Sequence, residues 1–294
     1  MRRIRLLIVL LSLSVMATAQ HWVGFSAEAG PSWTLDTLAV SSLKTGVSGG
    51  LGFTYQFQYS HFLLETGAGV GVSSWSVGVQ DSVWHYDMVD TRGQAFVYTL
   101  SSEQRTDVSR SVALTVPLLA GVEYSYFYAL AGVKLHLHLL GQTQQRALIR
   151  TSGEYDIYYD PLEDVPTHGF LDSDVHTVRG RMQYRTDLRG VLEVGAAFRA
   201  SAGSPKYRIG AFVEYGFLNI RPASSALPLV EPDPAAMSVQ MNHLYASDLS
   251  AAAPVHPLTC GIRFTVLFSV GDVPIRYVSP YRRSRYPCLC LGQW

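Results

Sequence analysis

The charged residues best placed to do chemistry stand singly among glycines and small polar residues. Each lies on the polar side of a segment in which apolar and polar residues alternate. Five are acidic and four are basic: Glu28, Glu65, Glu123, Glu193 and Glu214 with Lys134, Arg199, Arg208 and Arg263. Charges gathered in one interior could carry ions or protons, but buried charges must be paired. We therefore expect a compensated network of ion pairs, with an ion path as the alternative.

Two histidines, His136 and His138, could belong to a metal or hydrolase site. A hydrolase also needs a nucleophile and an orienting carboxylate within hydrogen-bond reach, and no nucleophile motif is present. A zinc site would need a carboxylate or cysteine partner, which no spacing here supplies. The acids between residues 156 and 174 lack the Asp-x-Asp-x-Asp-Gly frame of a calcium loop. We expect no enzyme activity, no metal and no other cofactor.

The composition narrows the elements that could position these residues. Charged residues make up 16% of the 294 residues, aromatic residues 12%, and there are 25 glycines. A soluble domain usually carries about 25% charged residues. No run beyond residue 20 reaches the roughly 18 apolar residues of a spanning helix. The net charge of zero, without a Lys/Arg block, argues against nucleic-acid binding. An all-β protein remains, soluble or in a membrane.

The first 19 residues predict export. Arg2, Arg3 and Arg5 precede an apolar run up to Met16, and Ala-Thr-Ala at 17–19 offers a cleavage site. This pattern is typical of a secretory signal peptide. Removing three arginines leaves 20 basic residues (23 − 3) against 23 acidic ones, a net charge of −3.

Eight segments of the remaining chain alternate between apolar and polar residues with a period of two. In 45–60, for example, Leu51, Phe53 and Tyr55 share one parity, and glycine and glutamine fill the other. Such alternation is typical of a strand with one apolar face, and these strands are longer than the usual five or six residues. The segments are 22–30, 45–60, 61–79, 111–125, 126–141, 187–201, 206–219 and 258–270.

The connections alternate between short and long. Tight turns are expected near residues 60, 125 and 203. The long connections are loop 1 (31–45), loop 2 (80–110), loop 3 (142–186) and loop 4 (220–257). Aromatic residues collect near the strand ends, as in the girdles of membrane barrels. We therefore predict an all-β fold, an eight-stranded antiparallel transmembrane β-barrel of the bacterial outer membrane with short periplasmic turns and long extracellular loops.

A barrel of eight strands has an interior that side chains can fill. The polar parity would then face the lumen, and the apolar parity would face outer-membrane lipid. Glu28 and Arg263 lie at similar heights on the first and last strands, which become neighbours when the barrel closes, so we predict that they pair. Loop 4 has a short helical stripe, Met237, Met241 and Leu244, and could cover the barrel mouth. Alternating aromatic residues in loop 2 indicate a hairpin that extends above the membrane.

Two adjacent strands resemble a known family. VPLLAGVE at 116–123 and YALAGV at 128–133 are similar to a strand pair of the outer-membrane β-barrel family that includes the PorT-like proteins, and the whole is similar to OmpA-like small barrels. The resemblance implies a small outer-membrane barrel. For some members it implies an accessory role in a protein-secretion (type IX) apparatus.

We expect the segment 271–294 to form a periplasmic tail after the barrel of residues 20–270. Its basic and aromatic residues are Arg276, Tyr277, Tyr281, Arg282, Arg283, Arg285 and Tyr286. Such side chains often anchor protein interfaces, although they also occur in solvated chain ends. We expect the tail to dock a periplasmic or outer-membrane protein partner. Cys288 and Cys290 are too close for an unstrained disulfide, and their role stays open.

The sequence thus favours a non-enzymatic outer-membrane protein with a structural or accessory role. A narrow transport or small-ligand barrel is the alternative. A surface adhesin or rim hydrolase is a third class.

Overall fold

A computed structural model describes most of the predicted barrel. The described residues are 20–165, 169–170, 174–201, 203–222, 227–233, 238–250 and 253–270. The predicted signal peptide and the predicted tail lie outside them. The only helices among the described residues are two 3-10 turns, Leu244–Ala246 and Asp248–Ser250. None is long and apolar enough to cross a membrane.

The described chain forms twelve β-strands. They are β1 (Gln20–Leu35), β2 (Ser41–Tyr59), β3 (Phe62–Val79), β4 (Ser82–Val89), β5 (Ala95–Tyr124), β6 (Phe127–Tyr155), β7 (Asp174–Arg181), β8 (Asp187–Arg199), β9 (Lys206–Gly216), β10 (Val230–Asp233), β11 (Ser238–Met241) and β12 (His256–Val270). Ten of them form one sheet in the order β4-β5-β3-β2-β1-β12-β9-β8-β6-β7, and an additional pairing of β5 with β6 closes it.

Eight of these strands form a closed antiparallel ring. All its neighbours pair antiparallel, including first strand β1 with last strand β12 and β5 with β6. Closure leaves no free edge along the ring, as a bilayer requires. The ring contains β1, β2, β3, β5, β6, β8, β9 and β12. The prediction of an eight-stranded barrel is confirmed.

The outside of the ring is apolar and exposed. Phe25, Leu51 and Phe127 are 66%, 72% and 73% exposed, whereas Trp22 and Leu119, which face the lumen, are buried. On β5 the outward apolar side chains run from Val112 to Val122. Ten steps of about 3.4 Å on a strand tilted by about 40° rise about 26 Å, the height of a lipid-facing band. We call this outward surface the apolar belt, and it makes the ring a transmembrane barrel that fits the predicted outer-membrane location.

The turns at one end of the ring are tight. Ser60 and His61 join β2 to β3, and Ser125 and Tyr126 join β5 to β6. Ser60 and Ser125 have positive φ angles of 54° and 56°. A positive φ at the first turn residue is the feature of a type II′ hairpin, which matches the twist of the strands. By the convention of such barrels this end is periplasmic.

At the other end the ring continues into an extracellular sheet. β4 pairs with the start of β5, and β7 pairs with the upper part of β6. Loops 2 and 3 are therefore mostly strand, and loop 2 forms the predicted hairpin. A bulge at Leu139 and Leu140 turns both side chains outward and reverses the parity of β6, so the single alternation predicted for 126–141 is wrong at its end.

A second apolar core fills the inside of this sheet, and we call the whole region above the belt the head. Loop 4 supplies one wall, through the β10–β11 hairpin and the turn at Leu244–Ala246. The helical stripe predicted there is wrong, because Met241 lies in β11, while Met237 lies outside the described residues. The fully or nearly buried core includes Trp75, Leu100, Ile149, Phe170, Ile220, Leu244 and Val255.

Candidate functional site

The barrel lumen holds the largest cluster of charged groups. Arg263 lies at its centre, on β12. Its Nε donates to Glu28 Oε2 at 2.9 Å, and its Nη1 donates to Glu193 Oε2 at 2.5 Å. The β1–β12 register places Glu28 directly opposite Arg263, as the heights in the sequence predict. The predicted pair is present, and it is shared with a third strand.

Lys134 is the second cation of the cluster. Its Nζ donates to Glu28 Oε1 at 3.0 Å and also bonds to Glu214. Lys134 and Arg263 both lie close to the ring of Phe212, with 5.8 Å and 5.4 Å to its centroid. Two cations thus share three carboxylates, which is the compensation that buried charges need.

Arg208 joins this cluster from the periplasmic side. It forms an ion pair with Glu65, and its Nη1 donates to Gln56 Oε1 at 3.0 Å. Its guanidinium lies 4.9 Å from the ring centroid of Tyr128. Tyr128 Oη in turn donates to Glu193 Oε1 at 2.6 Å, so a single network connects Arg208 with Arg263.

The last two predicted charges, Glu123 and Arg199, lie apart, near the periplasmic end, where Glu123 pairs with Lys206, a cation that the sequence analysis does not single out. Lys206 Nζ donates to Glu123 Oε1 at 2.9 Å and to Gln58 Oε1 at 2.8 Å. Arg199 does not enter the network: it is exposed at the rim, 5.2 Å from the ring of Trp22. The structure therefore brings eight of the nine predicted charges into the interior in two groups.

Sequence reasoning missed two members of the network, Asp187 and Arg189. Arg189 Nε donates to Asp187 Oδ2 at 2.7 Å, and its Nη1 lies 3.7 Å from Glu214 Oε2. Both side chains are buried. The signal was present, because both residues share the polar parity of the strand 187–201. We call the connected set the lumen network, namely Glu28, Glu65, Lys134, Asp187, Arg189, Glu193, Arg208, Glu214 and Arg263.

The two histidines face the lumen above the network. His138 Nδ1 lies 2.6 Å from Ser111 Oγ, and His136 Nε2 lies 3.6 Å from Glu214 Oε2. Within the described ranges, no group of three His, Cys, Asp or Glu side chains could hold a metal ion. His136 and His138 lie among the polar side chains of the lumen.

Little free space crosses the lumen. A cavity of about 30 Å³ borders Glu28, Glu65, Lys134 and Arg263, which is room for about one water molecule. Towards the periplasm the lumen also contains an apolar cluster of Leu63, Leu119, Tyr128, Leu130, Val191 and Ala197. The network and this cluster occupy the middle of the described lumen, and a cavity of about 270 Å³ opens at its periplasmic end beside Trp22, Glu123 and Lys206.

Loop 4 is fastened over the upper mouth by an ion pair on β5. Arg105 Nε donates to Asp107 Oδ1 at 2.9 Å, and both side chains are buried. The same guanidinium donates to the carbonyls of Leu229 and Asn242, and Asp107 Oδ2 accepts from the Leu244 N–H at 2.7 Å. We call Arg105 and Asp107 the latch. They lie in loop 2, for which the sequence predicts a hairpin but no buried ion pair.

His243 adds a second attachment beside the latch. Its Nδ1 accepts from the Tyr245 N–H at 3.1 Å, so its Nε2 carries the proton that meets Ser109 Oγ at 2.9 Å. Burial lowers the pKa of His243, against the raising effect of Asp107, and Arg105 lowers it further. The ring is therefore neutral while loop 4 is docked.

Tyr245 ties the loop to the first strand and its turn. Its Oη donates to Asp36 Oδ2 at 2.9 Å and lies 2.7 Å from Thr34 Oγ1. Burial raises the pKa of the phenol above its ordinary value, and the Asp36 carboxylate raises it further. The tyrosine remains a hydrogen-bond donor at any physiological pH.

A cavity of about 830 Å³ opens beside loop 4. It lies between β6, β7, the segment 182–186 and loop 4. The charged side chains in its lining are Arg181 and Arg185, and Gln145 and Asn242 add amide groups. Among the described residues that line it there is no carboxylate. Its size falls in the range of small-molecule sites.

The comparisons with known proteins find solved structures of similar fold. No protein-family model matches the sequence, and no curated protein matches it. One similar solved structure is Ail, the attachment invasion locus protein of Yersinia pestis, in complex with the heparin analogue sucrose octasulfate. It has a TM-score of 0.23 and 9% identity, covering 84% of this chain and 99% of Ail. Another is Neisserial surface protein A, with a TM-score of 0.27 and 9% identity. The match covers 84% of this chain and 97% of the Neisserial chain.

Proposed function

We propose that this protein is a non-enzymatic outer-membrane barrel that serves as an anchored scaffold. The observation that carries the proposal is the filled interior. The lumen network connects strands on different sides of the ring, and the described part of loop 4 lies over the mouth above it, held by the latch. A barrel that is filled at two levels is suited to holding its exposed parts in place, and is poorly suited to passing solutes.

The head offers the surface for such a role. β5 and β6 stay paired from Tyr124 and Phe127 up to Phe96 and Tyr155, so the head continues the barrel sheet without a separate linker. Its own core fixes the shape that it presents. We propose that partners dock on the head, on the tail 271–294, or on both. The resemblance of 116–123 and 128–133 to PorT-like barrels supports a protein-secretion apparatus as the setting.

Partner capture tests the proposal. The full chain would be purified through a tag in mild detergent, beside a variant lacking 272–294 and one in which Arg276, Arg282, Arg283 and Arg285 are all Gln. We expect a periplasmic or membrane protein to co-elute with the full chain and to be lost from both variants. Heat-dependent gel migration would show that each barrel is folded.

The same set of co-eluting proteins for all three forms would contradict the docking role of the tail. Loss only from the truncated form would keep the tail as the docking segment but would contradict the role of its arginines as anchors. A partner that survives both changes but is lost when the hairpin tip at 90–94 is replaced by Gly-Gly would assign docking to the head.

The cavity beside loop 4 favours a second candidate, a small-ligand barrel. Because Arg181 and Arg185 are its charged lining residues, the ligand would be anionic. A rise in thermal stability with sugar phosphates, lost in Arg185→Gln, would support this function. An unchanged transition temperature at millimolar ligand would argue against it.

A further inference from the structure

Basic side chains gather on the outward face of β5, β6 and β7, just above the apolar belt. Residues that lie opposite one another on antiparallel strands share a face. The register gives three successive outward rows across these strands: Arg110–Gln142–Arg181, Val108–Gln144–Arg179 and Thr106–Arg146–Thr177. Lys44 on β2 extends the middle row through Ser76, and its Nζ donates to Thr106 Oγ1 at 2.6 Å. We call Lys44, Arg110, Arg146, Arg179 and Arg181 the basic band.

The band has no internal counter-charge. Its four arginines are exposed. Within the part of the chain that the structure describes, none of the four forms an ion pair, and the three rows contain no Asp or Glu. The nearest outward acid on β5 is Glu103, which precedes the bulge at Gln104. It pairs with Leu148 in the next row towards the hairpin tip. Like charges in adjacent rows repel each other, so the folded protein gathers here a charge that an external anion would stabilise.

The depth of the band identifies the source of that anion. The row directly below contains Val112 and Leu140, the top of the apolar belt. Arg110 lies two residues before Val112 in β5, which places it about 5 Å higher on a strand tilted by about 40°. The guanidinium groups therefore lie at the depth of the outer-leaflet headgroups. Arg110 and Arg179 point sideways toward lipid, away from the lumen, and Arg181 on β7 borders both this surface and the cavity beside loop 4.

The surface around these arginines is concave and rich in donors. A groove of about 540 Å³ is lined by Arg110, Gln142, Gln144, Arg179 and Arg181. Guanidinium groups bind phosphate oxygens through two parallel N–H bonds, and the two amides can supply further donors. A groove with several donors and no acceptor charge is complementary to a phosphate.

We propose that the basic band is a binding site for a phosphorylated lipid of the outer leaflet, with Arg110, Arg179 and Arg181 holding its phosphate groups. The proposal rests on the outer-membrane location but not on any docking role of the head or the tail. The lipid would act as an annular ligand that fixes the barrel at one depth and one side.

Lipid retention measured by native mass spectrometry tests the site. The probe is lipid A with two phosphates, added to the full chain in detergent, with dephosphorylated lipid A as the second arm. The test variant is Arg110→Gln/Arg179→Gln. The control is Arg92→Gln/Arg199→Gln, which removes the same charge from exposed positions outside the band, at the hairpin tip and at the periplasmic rim. We expect affinity for lipid A to fall at least about tenfold in the test variant only, since each lost charged hydrogen bond weakens binding substantially.

Three outcomes would overturn the proposal. They are equal retention by the test and control variants, equal binding of dephosphorylated lipid A, and displacement of lipid A by millimolar inorganic phosphate, which would make the ligand a free anion. If the test variant does not fold, the salt dependence of lipid retention by the unmodified protein tests the proposal. Retention of lipid A must fall as salt is added, and retention of the dephosphorylated lipid must stay the same. Cell fractionation shows separately whether the protein reaches the outer membrane, so a wrong location is distinguishable from a band that binds nothing.

Discussion

At the scale of single residues, Arg263 does the most to hold the lumen together. It contacts Glu28 and Glu193 and lies 3.6 Å from Glu214, and its side chain is 4% exposed. Carboxylates in such a place are stable only while a cation compensates them. One side chain therefore sets the charge balance among strands β1, β8, β9 and β12.

Replacing Arg263 tests this balance. We expect Arg263→Met to lower the free energy of unfolding by about 3 kcal/mol or more, because it leaves buried carboxylates with too little positive charge. Urea unfolding in lipid vesicles, followed by tryptophan fluorescence, would measure it. Arg199→Met is the matched control at the exposed rim, where the loss of one cation–π contact should stay within about 1 kcal/mol. Equal effects of the two substitutions would show that the network contributes nothing beyond surface contacts.

His243 makes the docking of loop 4 depend on pH. The docked ring has a lowered pKa, and its Nδ1 accepts a hydrogen bond from the Tyr245 N–H, which requires that nitrogen to be unprotonated. The released ring would regain an ordinary pKa near 6.5. Below that pH the released state binds a proton more readily than the docked state, so docking is most stable above about pH 6.5 and weakens as the pH falls.

Hydrogen exchange at the backbone of Leu244–Ala246 checks this dependence. We expect faster exchange as the pH is lowered from 7 to 5, after correction for the intrinsic exchange rate. The His243→Gln variant, which keeps a possible acceptor but cannot titrate, should lose most of the dependence. A variant that keeps the full pH dependence would assign it to another group.

At the scale of elements, the periplasmic hairpins show a local mismatch between residue and conformation. Ser125 has a φ of 56°, a region that glycine adopts without the penalty of a side chain. The turn is held by the long β5–β6 pairing on either side. The strands therefore impose the turn on a residue that does not favour it.

Ser125→Gly should stabilise the barrel by up to about 1 kcal/mol, since it removes this cost. Ser125→Val should destabilise it, because a β-branched residue is poorly tolerated at positive φ. Urea midpoints of the two variants in the same vesicles would give the sign of each effect. A more stable valine variant would mean that the turn has a different geometry.

The elements also show how far the sequence predicts this fold. The ring strands are predicted well because lipid outside and charges inside impose a strict period of two on residues such as Leu51 and Phe53. The head is predicted only in part. The hairpin of loop 2 is expected, but the burial of Arg105 and Asp107 in β5 depends on the docking of loop 4, which the pattern of residues does not give.

The lumen network is partly predictable for a similar reason. Parity places Glu28 and Arg263 on the same face, and closure of the ring makes them neighbours. Parity does not give depth, so it cannot tell that Arg199 stays at the rim while Arg189 is buried. The basic band cannot be predicted from the sequence pattern. Its arginines come together only through the register of β5, β6 and β7, which the bulge at Leu139 and Leu140 sets.

At the scale of the whole molecule, two seals lie in series between the outside and the periplasm. Loop 4 is the upper one, and the lumen network with the apolar cluster beneath it is the lower one. The seals use different chemistry and different elements. The loss of one should therefore leave the other intact.

Removal of loop 4 tests this independence. We expect a variant with residues 223–252 replaced by a short Gly-Ser linker to fold in lipid and to show no ion current in a planar bilayer, like the unmodified protein. Heat-dependent gel migration would confirm folding. A steady current through the variant would mean that the network leaves a continuous path, and would favour the transport function.

The continuity of β5 through membrane and head sets how far the protein reaches. From Val112 at the top of the apolar belt to Ala95 near the hairpin tip, β5 rises by 17 residue steps (112 − 95). At about 3.4 Å per residue and a tilt of about 40°, the tip stands about 45 Å above the hydrocarbon. The hairpin is thus a stiff projection. Antibodies, phages or neighbouring cells that approach from outside would reach its tip before they reach the lipid surface.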